Sequence, residues 1–208
     1  MAGCFIALEG LDGAGTTTQC ALLADALRRR GHAVLATREP TDRPIGELLR
    51  RFLSGSLPLA PATVALLFAA DRLEHLQRDI APALEAGAVV VSDRSLLSSL
   101  AYQSIDLPVE WVAAINRWAD HPALTVFLDV PPEVCLARLL QRGRPPEQYE
   151  RLDRLRAVAR AYQRARDAAR LAGAAVRVVD GSADPATVHR AVLTAVAPFV
   201  SAGAKGDL

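Results

Sequence analysis

The stretch Phe5-Ile6-Ala7-Leu8-Glu9-Gly10-Leu11-Asp12-Gly13-Ala14-Gly15-Thr16-Thr17-Thr18-Gln19 decides the fold. It lies on a short apolar run, Cys4 to Leu8, of the kind a buried strand shows. A glycine-rich turn follows. Thr17 to Arg30 then reads as a helix, with Ala21, Leu22, Leu23, Ala26 and Leu27 recurring at helical spacing. Strand, glycine loop and helix form the setting of a phosphate loop: the glycines let successive N–H groups turn inward, and the helix N-terminus adds partial positive charge. Gly10 and Gly15 have the spacing of the pattern G-x-x-x-x-G-K-[ST], and Thr17 stands where a hydroxyl ligates magnesium. Thr16 occupies the lysine position. Taken alone, the stretch also reads as a glycine turn that binds nothing, so the rest of the chain has to separate the two.

Working outward, 208 residues suit one domain over 1–200 with a small mobile insert, and Ser201 to Leu208 are expected to be a disordered tail. The composition is 51% hydrophobic, ample for a core. The net charge of +1 supplies no overall basic field for nucleic acid, although arginine is crowded from Arg138 to Arg170. Cys4, Cys20 and Cys135 lack metal-ligand spacing and read as small buried hydrophobes of a reducing cytoplasm. Glu9 and Asp12 interrupt the first apolar run too early for a signal peptide, and no stretch suits a membrane span.

Four more apolar runs read as strands: Ala33 to Thr37, Ala88 to Ser92, Leu124 to Leu128 and Ala175 to Val179. Their apolar residues are consecutive rather than alternating, which predicts strands buried on both faces. Helical patterns separate them, over Gly46 to Phe52, Pro61 to Glu85, Leu96 to Gln103, Val109 to Ala119, Pro132 to Arg142 and Tyr149 to Leu171, with Ala186 to Val200 last. Alternating strands and helices predict an α/β domain with a five-stranded parallel sheet flanked by helices. Ligands of such sheets sit beyond the carboxyl ends of the strands. Arg38-Glu39-Pro40, Asp93-Arg94, Asp129 and Asp180 stand there. The planar fork of arginine suits phosphate, so Arg38 and Arg94 together read as phosphate ligands; singly, each reads equally well as half of an ion pair.

Two helices add a base-sized set. Phe68 and Arg72 share one face of the Pro61 to Glu85 helix, and Ser99, Tyr102 and Gln103 share one face of the next. A ring to stack on, a guanidinium for a carbonyl, and hydroxyl and amide groups for base edges describe a nucleobase pocket. The bland reading makes Phe68 core and Arg72 a salt-bridge partner. Arg138, Arg142, Gly143, Arg144, Pro145 and Pro146 read as a mobile arginine-rich lid at about 141–150.

With these residues in place, the chain resembles the bacterial thymidylate kinases. The resemblance rests on Phe5 to Gln19, Thr37-Arg38-Glu39-Pro40, Leu67-Phe68-Ala69-Ala70-Asp71-Arg72, Asp93-Arg94 and Ser98-Ser99-Leu100-Ala101-Tyr102-Gln103, in the family's order, and runs from Phe5 to about Phe199. It implies a P-loop NTPase-like fold and Mg2+-dependent transfer of the γ-phosphoryl group of ATP to dTMP in a cytoplasmic homodimer, with the apolar Pro61 to Glu85 helix at the contact and neither nucleic acid nor membrane as partner. By the same resemblance, Gly10, Leu11, Asp12, Gly13, Ala14, Gly15, Thr16, Thr17, Thr18 and Arg138 hold ATP, and Thr17 and Asp93 hold the metal. Arg38, Glu39, Arg50 and Arg94 serve the acceptor phosphate; Phe68, Arg72, Ser99, Tyr102 and Gln103 serve its base and sugar. Asp12, Asp93, Arg94, Arg142 and Arg144 are the implied transfer residues. Two positions depart from the family pattern: Thr16 for the loop lysine, and Ser95 for the bulky residue after Asp-Arg. The alternatives are another nucleoside monophosphate or deoxynucleoside kinase, or a weakly catalytic nucleotide binder.

Overall fold

The computed structural model describes residues 3–143 and 147–200. Five strands, β1 (Cys4–Gly10), β2 (Val34–Arg38), β3 (Val89–Asp93), β4 (Leu124–Asp129) and β5 (Val176–Asp180), form one parallel sheet in the order β2-β3-β1-β4-β5. The register aligns Arg38 with Asp93, Leu8 with Asp93, Gly10 with Leu128, and Asp129 with Asp180. The charged strand ends therefore lie along one edge, beside the glycine loop.

Burial follows strand position. The three inner strands β1, β3 and β4 are almost wholly buried. The outer strands are not: β2 is half exposed, and Val178 of β5 is 41% exposed. Consecutive apolar residues predicted burial on both faces of all five; an edge strand has only one neighbour to cover it, and β2 and β5 are the edges.

The helices are α1 (Thr16–Arg29), α2 (Pro44–Leu53), α3 (Pro61–His75), α4 (Ala81–Glu85), α5 (Leu96–Tyr102), α6 (Val109–Ile115), α7 (Pro132–Leu140), α8 (Leu152–Leu171) and α9 (Pro185–Val200). α1 packs with α9, and α5 with α8. Ile6, Leu8, Leu23, Leu27, Leu124, Leu128 and Tyr162 form the dry centre. The helix expected over 61–85 is interrupted by a π-helical turn, Leu76–Ile80. Pro82 cannot donate the regular backbone bond, and the chain widens just before it. α8 starts at Leu152 rather than Tyr149, because Gln148 N–H donates to Leu53 O (3.0 Å) and ties this segment to the end of α2. Among the described residues no helix is long and apolar enough to cross a membrane. The expected tail 201–208 lies outside them.

Polar residues of α3 and of the π-helical turn after it hold the end of β2 and the loop that follows. His75 Nε2 and Thr37 Oγ1 are 2.7 Å apart, Asp71 accepts from both the backbone N–H (2.8 Å) and the hydroxyl (2.6 Å) of Thr41, and Asp79 pairs with Arg43 at 2.7 Å. Gly46 permits the close return of α2 onto this loop, since a Cβ there would stand 1.9 Å from Thr41 O. Gly46→Ala is expected to lower stability by at least about 1–3 kcal/mol, or roughly 2–12 °C in Tm at this chain length; thermal unfolding followed by circular dichroism checks it.

Candidate active site

The loop between β1 and α1 is built to present N–H groups. Ala14 N–H closes a turn onto Leu11 O at 3.0 Å. Gly13 has φ +87°, and a Cβ on it would meet Cys135 O of α7 at 2.6 Å, so only glycine lets the loop lie against α7. No side chain caps α1, whose first-turn N–H groups face the loop. Thr16 is buried, and its Cγ2 would lie 3.4 Å from a Cβ placed on Gly10, so its methyl group turns back towards the end of β1. Thr17 and Thr18 are exposed. Thr17 Oγ1 donates to Asp93 Oδ2 at 2.5 Å. Asp93 Oδ1 is buried and has no hydrogen-bond partner among the described residues. Arg138 is engaged elsewhere, donating to Gly181 O (3.0 Å) and Ser182 O (3.1 Å) in the loop after β5. Arg142 is exposed; Arg144 lies outside the described residues.

A cleft opens beside this loop. Asp12, Glu39, Phe68, Arg72, Arg94, Ser99, Tyr102 and Gln103, all expected from the sequence, border it together. Arg38 and Arg50 do not border it. Both turn to Asp42 instead, at 2.5 and 3.3 Å, and Arg50 also donates to Thr41 O.

The cavity wall carries a buried ion pair. Arg72 and Glu39 meet at 2.8 Å, each side chain only 4% exposed. All three guanidinium nitrogens donate: Nε to Glu39, Nη1 to Ser99 Oγ (3.0 Å) and Asn116 Oδ1 (2.5 Å), and Nη2 to Ser95 O (3.2 Å), with Nη2 also in ion-pair contact with Glu39. Burial alone would push the Glu39 carboxyl up, but the Arg72 charge and the His75 ring beside it bring it below its ordinary value. Arg72 therefore borders the cavity with its donors already committed. Gln103 differs. Its Oε1 is buried at the cavity without a partner among the described residues. Tyr149 borders the same cleft, and burial pushes its hydroxyl up to about 12.

Arg94 bridges the cavity and the phosphate loop. Nη2 donates to Asp12 Oδ1 (2.7 Å), and Nη1 reaches Gly10 O (2.9 Å), Tyr162 Oη (3.1 Å) and Ser98 Oγ (3.2 Å). Tyr102 donates its hydroxyl to the other Asp12 oxygen at 3.0 Å. Behind them Glu9, fully buried, accepts from Ser95 N, Ser98 N, Ser98 Oγ and Tyr162 Oη. Burial raises its carboxyl above the ordinary value, against these hydrogen bonds and the Arg94 charge.

A sequence profile of the family described as thymidylate kinase matches residues 8–192. The chain belongs to the thymidylate kinase family. It is 39% identical to a probable thymidylate kinase of Pyrococcus abyssi over 94% of this chain and 97% of that one. It is 47% identical to a thymidylate kinase of Synechococcus sp. (76% and 79% of the two chains), and 44% identical to a probable thymidylate kinase of Caldivirga maquilingensis (77% and 79%). Membership makes the protein a phosphotransferase on a P-loop NTPase-like fold, as the sequence motifs imply.

For a thymidylate kinase, the sequence reading omitted Glu9, Asn116, Tyr149 and Tyr162. An acid inside a strand otherwise made of apolar residues was the available signal for Glu9. Nothing local marked the other three: Asn116 and Tyr162 meet Arg72 and Glu9 from 44 or more residues away in sequence, and Tyr149 borders the cleft from a segment far from its other walls. The Glu39–Arg72 pair yields a pH prediction. A depressed folded-state value contributes stability above the ordinary glutamate value of 4.5, lost as pH falls through the folded-state value. Glu39→Gln leaves a buried guanidinium unpaired, expected to cost about 3–5 kcal/mol near neutral pH. In urea unfolding the gap to wild type should narrow as pH falls below 4.5.

Proposed function

We propose that this member of the family transfers the γ-phosphoryl group of ATP to dTMP, giving ADP and dTDP, in the cytoplasm and as a homodimer. The observation that carries the acceptor assignment is Gln103 Oε1: a buried acceptor without a partner among the described residues, at the cleft that Phe68 and Ser99 also border. An unpaired buried acceptor costs about 1–3 kcal/mol, which the imide N–H of thymine removes and the N3 acceptor of cytosine does not. Phe68 offers the stacking face. Tyr102, fixed by Asp12, crowds the sugar and favours deoxyribose. Arg72 is the least free of these groups; it reads a base carbonyl only by sharing an N–H it already uses.

The glycine loop and the uncapped start of α1 suit the ATP phosphates. The hard oxygen donors Thr17 Oγ1 and Asp93 Oδ1 suit magnesium, and the partnerless Asp93 oxygen fits one bound there. Thr17 and Asp93 would hold the ion, which neutralises phosphate charge when bound. Arg94 positions the reacting phosphates from the loop side, with Asp12 keeping its fork in plane. Phosphoryl transfer needs positioning and charge more than a covalent partner.

Thr16 cannot supply the charge a lysine would. A hydrogen bond to a charged group contributes roughly 1.5–3 kcal/mol, so its loss costs about 10- to 150-fold. An arginine on the transferred group is worth ~10³–10⁵ in rate, so Arg94 with the lid arginines Arg142 and Arg144 covers the deficit. Arg38 and Arg50 are the acceptor phosphate ligands in this reading.

A coupled assay with ATP and magnesium tests the assignment: dTMP should outpace dCMP, AMP and CMP by at least about 100-fold in kcat/KM, in line with a site built around a donor–acceptor match. Equal turnover on dCMP removes the base reading; binding of dTMP by calorimetry without turnover replaces it with a nucleotide-binding role. Arg94→Ala should cut kcat by ~10³ or more with Tm little changed. Thr16→Lys should change kcat by less than about tenfold, the low end of a charged hydrogen bond's worth; a rise above that shows that the arginines do not suffice.

A further inference from the structure

Two buried residues behind the cavity, Glu9 and Tyr162, do not border it. Tyr162 of α8 is fully buried, its ring held between Phe127 (centroids 5.0 Å apart) and Tyr102 (5.8 Å, edge-on). The ring cannot swing, so the hydroxyl has one location. It donates to Glu9 Oε2 at 2.9 Å and accepts from Arg94 Nη1 at 3.1 Å. Ser98 Oγ stands 2.8 Å from it and 2.5 Å from the same Glu9 oxygen. The other Glu9 oxygen accepts from Ser95 N (2.9 Å) and Ser98 N (3.2 Å).

The backbone of Arg94 makes this arrangement informative. Its φ is +75°, a conformation unfavourable to a residue with a long side chain. Such residues persist where their surroundings over-determine them, and they gather at functional sites. The surroundings here come from three elements. Arg94 N–H donates to Leu8 O of β1 (2.9 Å), its carbonyl accepts from Ser92 Oγ of β3 (2.7 Å), and its guanidinium meets Tyr162 of α8. Asp12 and Gly10 O hold the fork from the phosphate-loop side only. Tyr162 holds it from behind.

We propose that Tyr162 is a positioning residue for phosphoryl transfer: its hydroxyl, oriented by the buried Glu9, fixes the Arg94 guanidinium against the phosphate loop and ties it to α8. The inference rests on the reading of Arg94 as a transfer-site arginine. A tyrosine that served only packing would need its ring and any partner for its hydroxyl; it would not need Arg94.

The test is Tyr162→Phe in the full chain, which keeps the ring and removes the hydroxyl. The expected result is a fall in kcat of about tenfold, the worth of one hydrogen bond to a charged group, with KM for each nucleotide within about twofold. A structural role would instead lower Tm and leave the kcat of the folded fraction unchanged. The decisive arm is a double-mutant cycle with Arg94→Lys: if Tyr162 acts through Arg94, the second substitution adds little to the first, whereas independent, multiplicative losses overturn the proposal, as does a wild-type kcat in Tyr162→Phe. Glu9→Gln, which disturbs the acceptor of the tyrosine hydrogen but not the ring, is the second variant and should show the same kcat-specific, non-additive loss; it keeps the question open to refutation if Tyr162→Phe does not fold. Rates are taken with whichever monophosphate the wild-type enzyme prefers. An enzyme active on another base would thus sink the dTMP reading and leave this inference standing, while an additive cycle would do the reverse.

Discussion

A carboxylate taken out of water has to be surrounded by donors, and the architecture behind the cavity answers that constraint twice. Glu9 and Glu39 are both buried, on β1 and just after β2; Glu39 is paired with Arg72, and Glu9 is enclosed by the donors of Ser95, Ser98 and Tyr162 and feels the Arg94 charge. Breaking a buried pair by removing one partner costs several kcal/mol, because the survivor is left charged in a poor solvent. The donors that solve the problem are Ser95, Ser98, Arg72, His75 and Tyr162, drawn from α3, the start of α5, and α8. The charges therefore specify which helices meet, and where; apolar packing alone would tolerate sliding between them.

The same constraint sorts the arginines. Arg72 is enclosed and fully committed, so it belongs to the architecture of the wall as much as to the base. Arg94 is part-buried and shared between loop and wall. Arg38 is 55% exposed, and with Arg50 it leans on Asp42, itself 72% exposed. Such surface pairs contribute about 0–1 kcal/mol. A phosphate dianion that offers a bidentate, charge-assisted contact is the better partner, so little opposes the transfer of these two guanidiniums from Asp42 to a ligand. Sequence reasoning treated Arg38 and Arg94 alike because both follow strands; their different burial separates them.

Most of the fold was legible because it rests on local pattern. Apolar runs located the five strands to within a residue or two, and the glycines at 10, 13 and 15 marked the loop. What the pattern overstated was burial at the edges, since a run of valines does not say whether a strand has one neighbour or two. The site was legible wherever a residue sat at a fixed offset from a strand end or on one helix face: Asp12, Glu39, Phe68, Arg72, Arg94, Ser99, Tyr102 and Gln103 all border one cavity. Tyr162 and Asn116 were not, because their significance comes from long-range hydrogen bonds to Arg94 and Arg72. The exclusivity of Arg72 was equally hidden, since the number of acceptors around a side chain is a property of the assembled wall.

The absent lysine follows the same logic of shared charge. A lysine at position 16 would bring a single flexible point charge to the phosphates. In its place the chain has a buried threonine turned towards β1, which adds no charge to the loop's field. The remaining field comes from the backbone N–H groups at the start of α1 and from a guanidinium held by Asp12, Gly10 O and Tyr162. A fork restrained at both ends has already given up the rotational freedom that a lysine would lose only on binding. Its orientation, unlike a lysine's, depends on a helix packed on the far side of the sheet from α1. The loop's electrostatics and the packing of α8 are thereby one problem, and a change in either should be felt in the other.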